Sequence, residues 1–237
     1  MVEQNSDNQK LVRVRAHMQE SGIDAYVCMH TDSHSSEYIA PCDERIAFLS
    51  GFKGSNGLCV VTKDEALMWT DSRYYIAAGQ QLEAGWEMRK MSRDDDSWFE
   101  FLKKKLVAEQ TVGIDFKQYP ASAVKTRAEY FTKANIKFEH VENIADRVWA
   151  EPAFETRPTR PVNPVKVLDL EFCGKTSLEK QAILSEKMKD VEYDMLLVTT
   201  LDDICWLTNM RGTDIEYNPV FFAYLVFTPD CKKERME

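Results

Sequence analysis

A chain of 237 residues, 44% of them hydrophobic, has enough apolar side chain for one large domain or two modest ones, which excludes global disorder. Its formal charge of −9 argues against general binding to nucleic acid or to acidic membranes, since both usually require a basic surface. Six scattered cysteines (Cys28, Cys42, Cys59, Cys173, Cys205 and Cys231) form no CxxC pair. With no apolar leader in MVEQNSDNQK, they point to a reduced, cytoplasmic protein without disulfides.

Along the chain, Leu11, Val14 and Met18 recur at helical spacing, so residues 9–20 are predicted to form an amphipathic helix stopped at Gly22. DAYVCMH (Asp24–His30) reads as a strand, followed by a polar loop broken at Pro41 and a short helix in IAFLSGF. GLCVVT and EALMWT form a hairpin turning near Lys63 and Asp64. Tyr74–Leu82 is helical, GWEMRKM a strand, and SWFEFLKKKLVAE a helix with Ser97 as its cap. TVGIDF, a helix over 120–133 with Pro120 in its first turn, NIKFEHV and a short helix capped by Asn143 complete the alternation. The expected fold class is a layered α/β domain.

EPAFETRPTRPVNP, Glu151 to Pro164, holds four prolines, which suit neither helix nor strand. It is read as a linker between a first domain, 1–150, and a second, 165–237. The second region offers VKVLDL, a helix in TSLEKQAILSEKMKDV, a strand in DMLLVTT, a short helix in LDDICWLTNM ended by Arg211-Gly212, an apolar strand in VFFAYLVFT and a polar tail. These are fewer elements than most independent domains carry. The region is either a small closing subdomain or a domain cut short, and the open apolar edge left by the second favours it. No apolar run reaches the roughly 20 residues of a membrane span.

The chemistry-bearing residues are sparse. His17, His30, His34 and His140 are the only histidines, without an HExxH, and His30 and His34 read as solvated or hydrogen-bonded rather than as a zinc pair. Asp202-Asp203 and Asp94-Asp95-Asp96 read as helix-entrance groups, with Asp202 a candidate cap. GFKGSNG (Gly51–Gly57) lacks both the P-loop and the dinucleotide spacing, so it reads as a turn before a strand. GxSxG is absent. WTDSRYY (Trp69–Tyr75) places Asp71 and Arg73 at the end of a strand. From the residues alone these are a surface ion pair among aromatic rings, although an arginine fork also suits a carboxylate or carbonyl oxygen.

Several stretches, SEYIAPCDERIAFLSGFKGSNG, ALMWTDSRYYIAAGQQL, NIADRVWAEPAFETRP and LDDICWLTNMRGTDIEYNPVFFAY, resemble in the same order the N-terminal part of cytosolic X-prolyl aminopeptidases (aminopeptidase P). The resemblance implies a creatinase/prolidase N-terminal-like α-β-α fold with a mixed sheet, followed by an incomplete second domain of similar type. In that family a third, pita-bread domain binds two metal ions, usually manganese, and a metal-bridging water cleaves the bond between an N-terminal residue and a following proline. The arginine of the family's WTDxRY motif contacts substrate and corresponds to Arg73. The metal-ligand positions have no counterpart here, so the chain is expected to carry no catalytic residue and no metal of its own. In the full enzyme it would shape the substrate entrance and support homodimer contacts, with peptides bearing proline at the second position as substrates. The alternative is a stand-alone interaction or peptide-binding protein derived from such an enzyme.

Overall fold

The computed structural model describes residues 8–229; the expectations for residues 1–7 and 230–237 lie outside the described residues. The chain divides into two compact units. Among the described residues, the first comprises 8–33 and 41–159, and the second 34–40 and 160–229.

The first unit is built on a six-stranded sheet made of β1 (Ala25–Met29), β2 (Leu58–Thr62), β3 (Ala66–Thr70), β4 (Glu87–Lys90), β5 (Thr111–Ile114) and β6 (Lys137–His140). Their order is β4-β3-β2-β1-β5-β6. Only β2 runs against its neighbours, pairing antiparallel with both β1 and β3. The remaining pairs, β1–β5, β3–β4 and β5–β6, are parallel. The sheet is therefore mixed, and β1, β3, β5 and β6 all end on one edge.

Two-residue alternation sends successive side chains to opposite faces. Tyr26, Cys28, Cys59, Val61 and Met68 enter one core, whereas Ala25, Val27, Leu58, Val60, Leu67 and Trp69 enter the other. The first face is covered by α1 (Gln9–Glu20), α2 (Arg45–Ser50), α3 (Tyr75–Gln81) and α6 (Ile144–Trp149). The second is covered by α4 (Trp98–Lys105) and α5 (Ala121–Thr132). This is a three-layer α-β-α unit.

Local signals fix the helix starts. Asn8 accepts the Leu11 N–H and opens α1, whose Leu11, Val14 and Met18 are buried. Glu100 accepts the Ser97 N–H at 2.9 Å and completes a capping box on α4. Asn143 caps α6 and also receives the Tyr26 hydroxyl at 2.7 Å, tying β1 to that helix. Pro120 stands immediately before α5 rather than inside its first turn, and α4 closes at Lys105, before the expected LVAE extension.

The second unit contains β7 (Lys166–Val167), α7 (Leu170–Cys173), α8 (Ser177–Asp190), β8 (Leu196–Val198), α9 (Leu201–Thr208), β9 (Met210–Arg211) and β10 (Leu225–Phe227). Two short antiparallel pairs, β8–β10 and β7–β9, flank a small core of Leu201, Cys205, Ile215 and Val220. Leu197 and Val226 are register partners, and both side chains are exposed.

Three expectations change here. The apolar run VFFAYLVFT is a strand only over Leu225–Phe227. Before that, the Asp214 carboxylate accepts the N–H groups of Asn163 and Phe222, and the Asp214 N–H bonds to Val220 O, so the run is drawn into a loop. The helix α9 ends at Asn209, which adopts the left-handed conformation at φ 57°, before Arg211-Gly212. Its N-cap is Thr200, whose hydroxyl donates to Asp203; Asp202 does not cap. Among the described residues no helix is long and apolar enough to cross a membrane.

Candidate functional site

Strand β3 carries WTDSRYY to the edge where the parallel strands end. Open α/β sheets bind ligands at that edge. Trp69 is buried, with its indole N–H donated to Asp96 O at 3.0 Å. Thr70 is also buried, and its hydroxyl donates to Asn56 O at 2.7 Å. The chain then turns, with the Tyr74 N–H bonded to Asp71 O at 3.0 Å, and enters α3. Asp71 and Arg73 occupy this turn.

The two side chains form a fork. Arg73 donates from Nε to Asp71 Oδ1 at 2.9 Å and from Nη2 to Oδ2 at 2.8 Å; its backbone N–H reaches Oδ1 at 3.0 Å. These bonds from Arg73, with a further one from Asn56, hold the Asp71 carboxyl well below the usual carboxylate range. The Arg73 side chain is 63% exposed against 22% for Asp71, so the carboxylate is the sheltered partner and the guanidinium the outward one. Its central carbon lies 5.0 Å from the Tyr74 ring centroid, a cation–π contact.

The glycine-rich loop Gly51–Gly57 packs against this turn. Asn56 Nδ2 donates to Asp71 Oδ2 at 2.7 Å, and Ser55 Oγ lies 2.7 Å from the Tyr74 hydroxyl. Phe52 meets the Tyr74 ring edge-on at 5.8 Å. Close approach explains two of the glycines. A Cβ on Gly54 would stand 2.2 Å from the Phe52 ring and 2.9 Å from Tyr74, and one on Gly57 would stand 2.9 Å from Trp69 O. The loop is thus a turn before a strand, as expected, and also a wall of the Asp71–Arg73 site. Ser55, Asn56 and Tyr74 were not legible as site residues. The only hint was two hydrogen-bonding side chains inside a glycine-rich loop.

Other titratable groups, at this edge and elsewhere, are engaged within their own units. His30 is driven below its ordinary range by burial, and its Nδ1 lies 4.0 Å from Glu44. Burial, with Asp43 alongside, pushes Glu44 up to about 7. His140 Nδ1 accepts the Phe116 N–H at 3.1 Å. His17 sits between Glu20 and Glu151, at 2.9 and 2.7 Å. His34 belongs to the second unit, where Nδ1 bonds to Thr199 O at 2.8 Å. Asp96 pairs with Lys104, and Asp95 accepts the Ser92 hydroxyl. Among the described residues, no group of three or more His, Cys, Asp or Glu side chains could hold a metal ion. A cavity of about 670 Å³, lined by Arg15, Asp24, Thr62, Lys63, Lys105 and Gln110 among others, opens at the opposite edge of the sheet.

The α-β-α unit with its mixed sheet matches the creatinase/prolidase N-terminal domain model over residues 10–148, and a second model of the same description matches residues 156–234. The chain belongs to the creatinase/prolidase N-terminal domain family. Members of this family similar to it include a probable Xaa-Pro aminopeptidase P of Laccaria bicolor. That protein is 42% identical over 224 residues, covering 94% of this chain and 34% of the relative. The probable Xaa-Pro aminopeptidase P of Colletotrichum graminicola is 40% identical, covering 93% and 36%. Among solved structures, the X-prolyl aminopeptidase of Caenorhabditis elegans superposes with a TM-score of 0.88 at 35% identity, covering 94% of this chain and 37% of that one. It is described as a cytosolic enzyme with a di-nuclear active site. The chain thus spans about a third of the length of these relatives and corresponds to their N-terminal portion. The described residues of this family member do not fit a di-nuclear metal centre, because they assemble no ligand cluster.

Proposed function

We propose that this chain is the non-catalytic N-terminal portion of an Xaa-Pro aminopeptidase P-like metallopeptidase, which removes the N-terminal residue preceding proline. The observation that carries this reading is the likeness to the C. elegans X-prolyl aminopeptidase, at a TM-score of 0.88 over 94% of the chain. In the full-length protein these residues shape the substrate entrance and support homodimer contacts. Arg73 orients the peptide through hydrogen bonds to a carboxylate or carbonyl oxygen. Its exposure, and its support from Asp71, suit that role. The metal centre, two manganese ions in this proposal, belongs to a catalytic portion outside these residues. The protein works in the cytoplasm, in keeping with the cytosolic description of the C. elegans enzyme.

The test compares the purified 237-residue chain with the full-length protein, each with added manganese and an Xaa-Pro peptide. The full-length protein releases the N-terminal residue and the chain alone does not. Metal-dependent release by contaminant-free chain would overturn the division of labour.

A further inference from the structure

We propose that Asn56 is a positioning residue that sets the direction of the Arg73 guanidinium through Asp71. This inference rests on the substrate role proposed for Arg73 and adds to it a second residue, from a different loop.

An exposed Asp–Arg pair two residues apart is ordinarily a loose contact. Solvent screens it, and both side chains sample several rotamers. The Asp71 carboxylate differs because each of its oxygens takes two donors. Oδ1 receives the backbone N–H and Nε of Arg73, and Oδ2 receives Nη2 of Arg73 and Nδ2 of Asn56. Three of the four come from Arg73 itself and move with it. Only the Asn56 donor comes from elsewhere in the chain, so it ties the carboxylate plane to the body of the domain.

Asn56 is itself well anchored. Its carbonyl takes the hydroxyl of buried Thr70 at 2.7 Å, and the next carbonyl, Gly57 O, takes the His30 N–H at 3.0 Å. On its other side, Ser55 holds the Tyr74 hydroxyl, and the Tyr74 ring lies under the guanidinium. The loop thus reaches Arg73 by two routes, through Asp71 to the edge of the fork and through Tyr74 to its face. An arginine that recognises a substrate oxygen needs its direction fixed before binding, because a freely rotating guanidinium loses entropy when substrate orders it.

Asn56→Ala deletes the tie. Asn56→Asp is nearly isosteric but sets a second carboxylate against Asp71, repelling it and competing for the guanidinium. In the full-length protein, Asn56→Ala is expected to lower kcat/KM for an Xaa-Pro peptide about five- to tenfold, and Asn56→Asp more. Within the Arg73→Ala background both changes should alter kcat/KM by less than about twofold, because nothing remains to be positioned. In the 237-residue chain, Asn56→Asp should speed hydrogen exchange at the Arg73 Nε–H and raise the titration midpoint of Asp71, both read by NMR. If Arg73→Ala impairs turnover but the Asn56 variants do not, the positioning role falls and the substrate role of Arg73 stands. If the Asn56 effect is equally large with and without Arg73, Asn56 is structural and the inference falls. If Arg73→Ala leaves kcat/KM unchanged, the substrate role falls and the inference goes with it.

Discussion

Asp146 clasps Arg45 from the side: Arg45 Nε lies 2.6 Å from Oδ1 and Nη2 lies 3.1 Å from Oδ2, with the arginine side chain only 4% exposed. The pair ties α2 to α6, and buried Asp43 supports it at 3.1 Å from Nη2. Asp146→Ala leaves a buried guanidinium short of its bidentate partner. Unfolding in urea is expected to show a loss of about 3–5 kcal/mol, the usual cost of breaking a buried pair from one side. A loss below about 1 kcal/mol would mean that the Asp43 carboxylate and the Thr31 and Asp43 carbonyls satisfy Arg45 without Asp146.

Glu44 gives the first unit a pH-dependent weakness. Its folded value is pushed up to about 7 by burial and by Asp43, whereas an exposed glutamate titrates near 4.5. Between those values the folded state binds more protons than the unfolded state, so the Glu44 contribution to stability falls as pH rises and levels off above about 7. His30 is the nearby cationic candidate, but burial keeps it from protonating readily. Glu44→Gln should therefore raise the urea midpoint more at pH 8 than at pH 4.5. An equal shift at both values would show that Glu44 ionises normally in the fold.

The buried thiols should be inert. Cys28 and Cys59 face each other across β1 and β2, and burial pushes Cys28 up to about 11 and Cys59 well above its ordinary value. Attack on an aromatic disulfide reagent requires thiolate and access. At pH 8, mass mapping should find Cys28 and Cys59 unlabelled in the native chain and labelled once urea unfolds it. Fast native labelling of either would contradict the packing described for the first core.

Where the chain passes from the first unit to the second, Arg157 is held within the first by Cys42 O at 2.8 Å, and the Asn163 N–H is held within the second by Asp214 at 2.9 Å. The backbone from Pro158 to Val162 carries mostly exposed residues, Val162 at 92%. Trypsin is a poor probe because Arg157 and Arg160 each precede proline. A protease of broad specificity should cut within 158–162 and leave a stable fragment close to the first unit. Preferential cleavage within 55–90 would refute this division of the chain.

Much of the first unit was legible because its signals are local. Leu11, Val14 and Met18 mark α1 by spacing, Ser97 and Asn143 mark helix starts, and the apolar runs around Lys63-Asp64 mark the β2–β3 hairpin. What escaped depends on residues distant in sequence. Asn56 meets Asp71 only because β2 and β3 pair, and no periodicity records that contact. Residues 34–40 read as a plain loop, yet they group with the second unit. Val220–Tyr224 reads as strand by composition, but the Asp214 carboxylate captures the Phe222 N–H that a ladder would have used. Asp71 and Arg73 were visible as a pair, whereas the ring and the amide that hold the fork became visible only in the fold.

The most direct measurement is peptide turnover by Arg73 variants of the full-length protein, read beside their melting temperatures. Arg73→Ala is expected to lower kcat/KM for an Xaa-Pro peptide about ten- to a hundredfold, which corresponds to losing a charged hydrogen bond of about 1.5–3 kcal/mol. Arg73→Lys should recover only part, because an ammonium cannot reproduce the planar fork. Melting temperature should change little in either, since the side chain is mostly exposed. A lowered melting temperature with kcat/KM unchanged would contradict the substrate role and leave Arg73 a structural partner of Asp71.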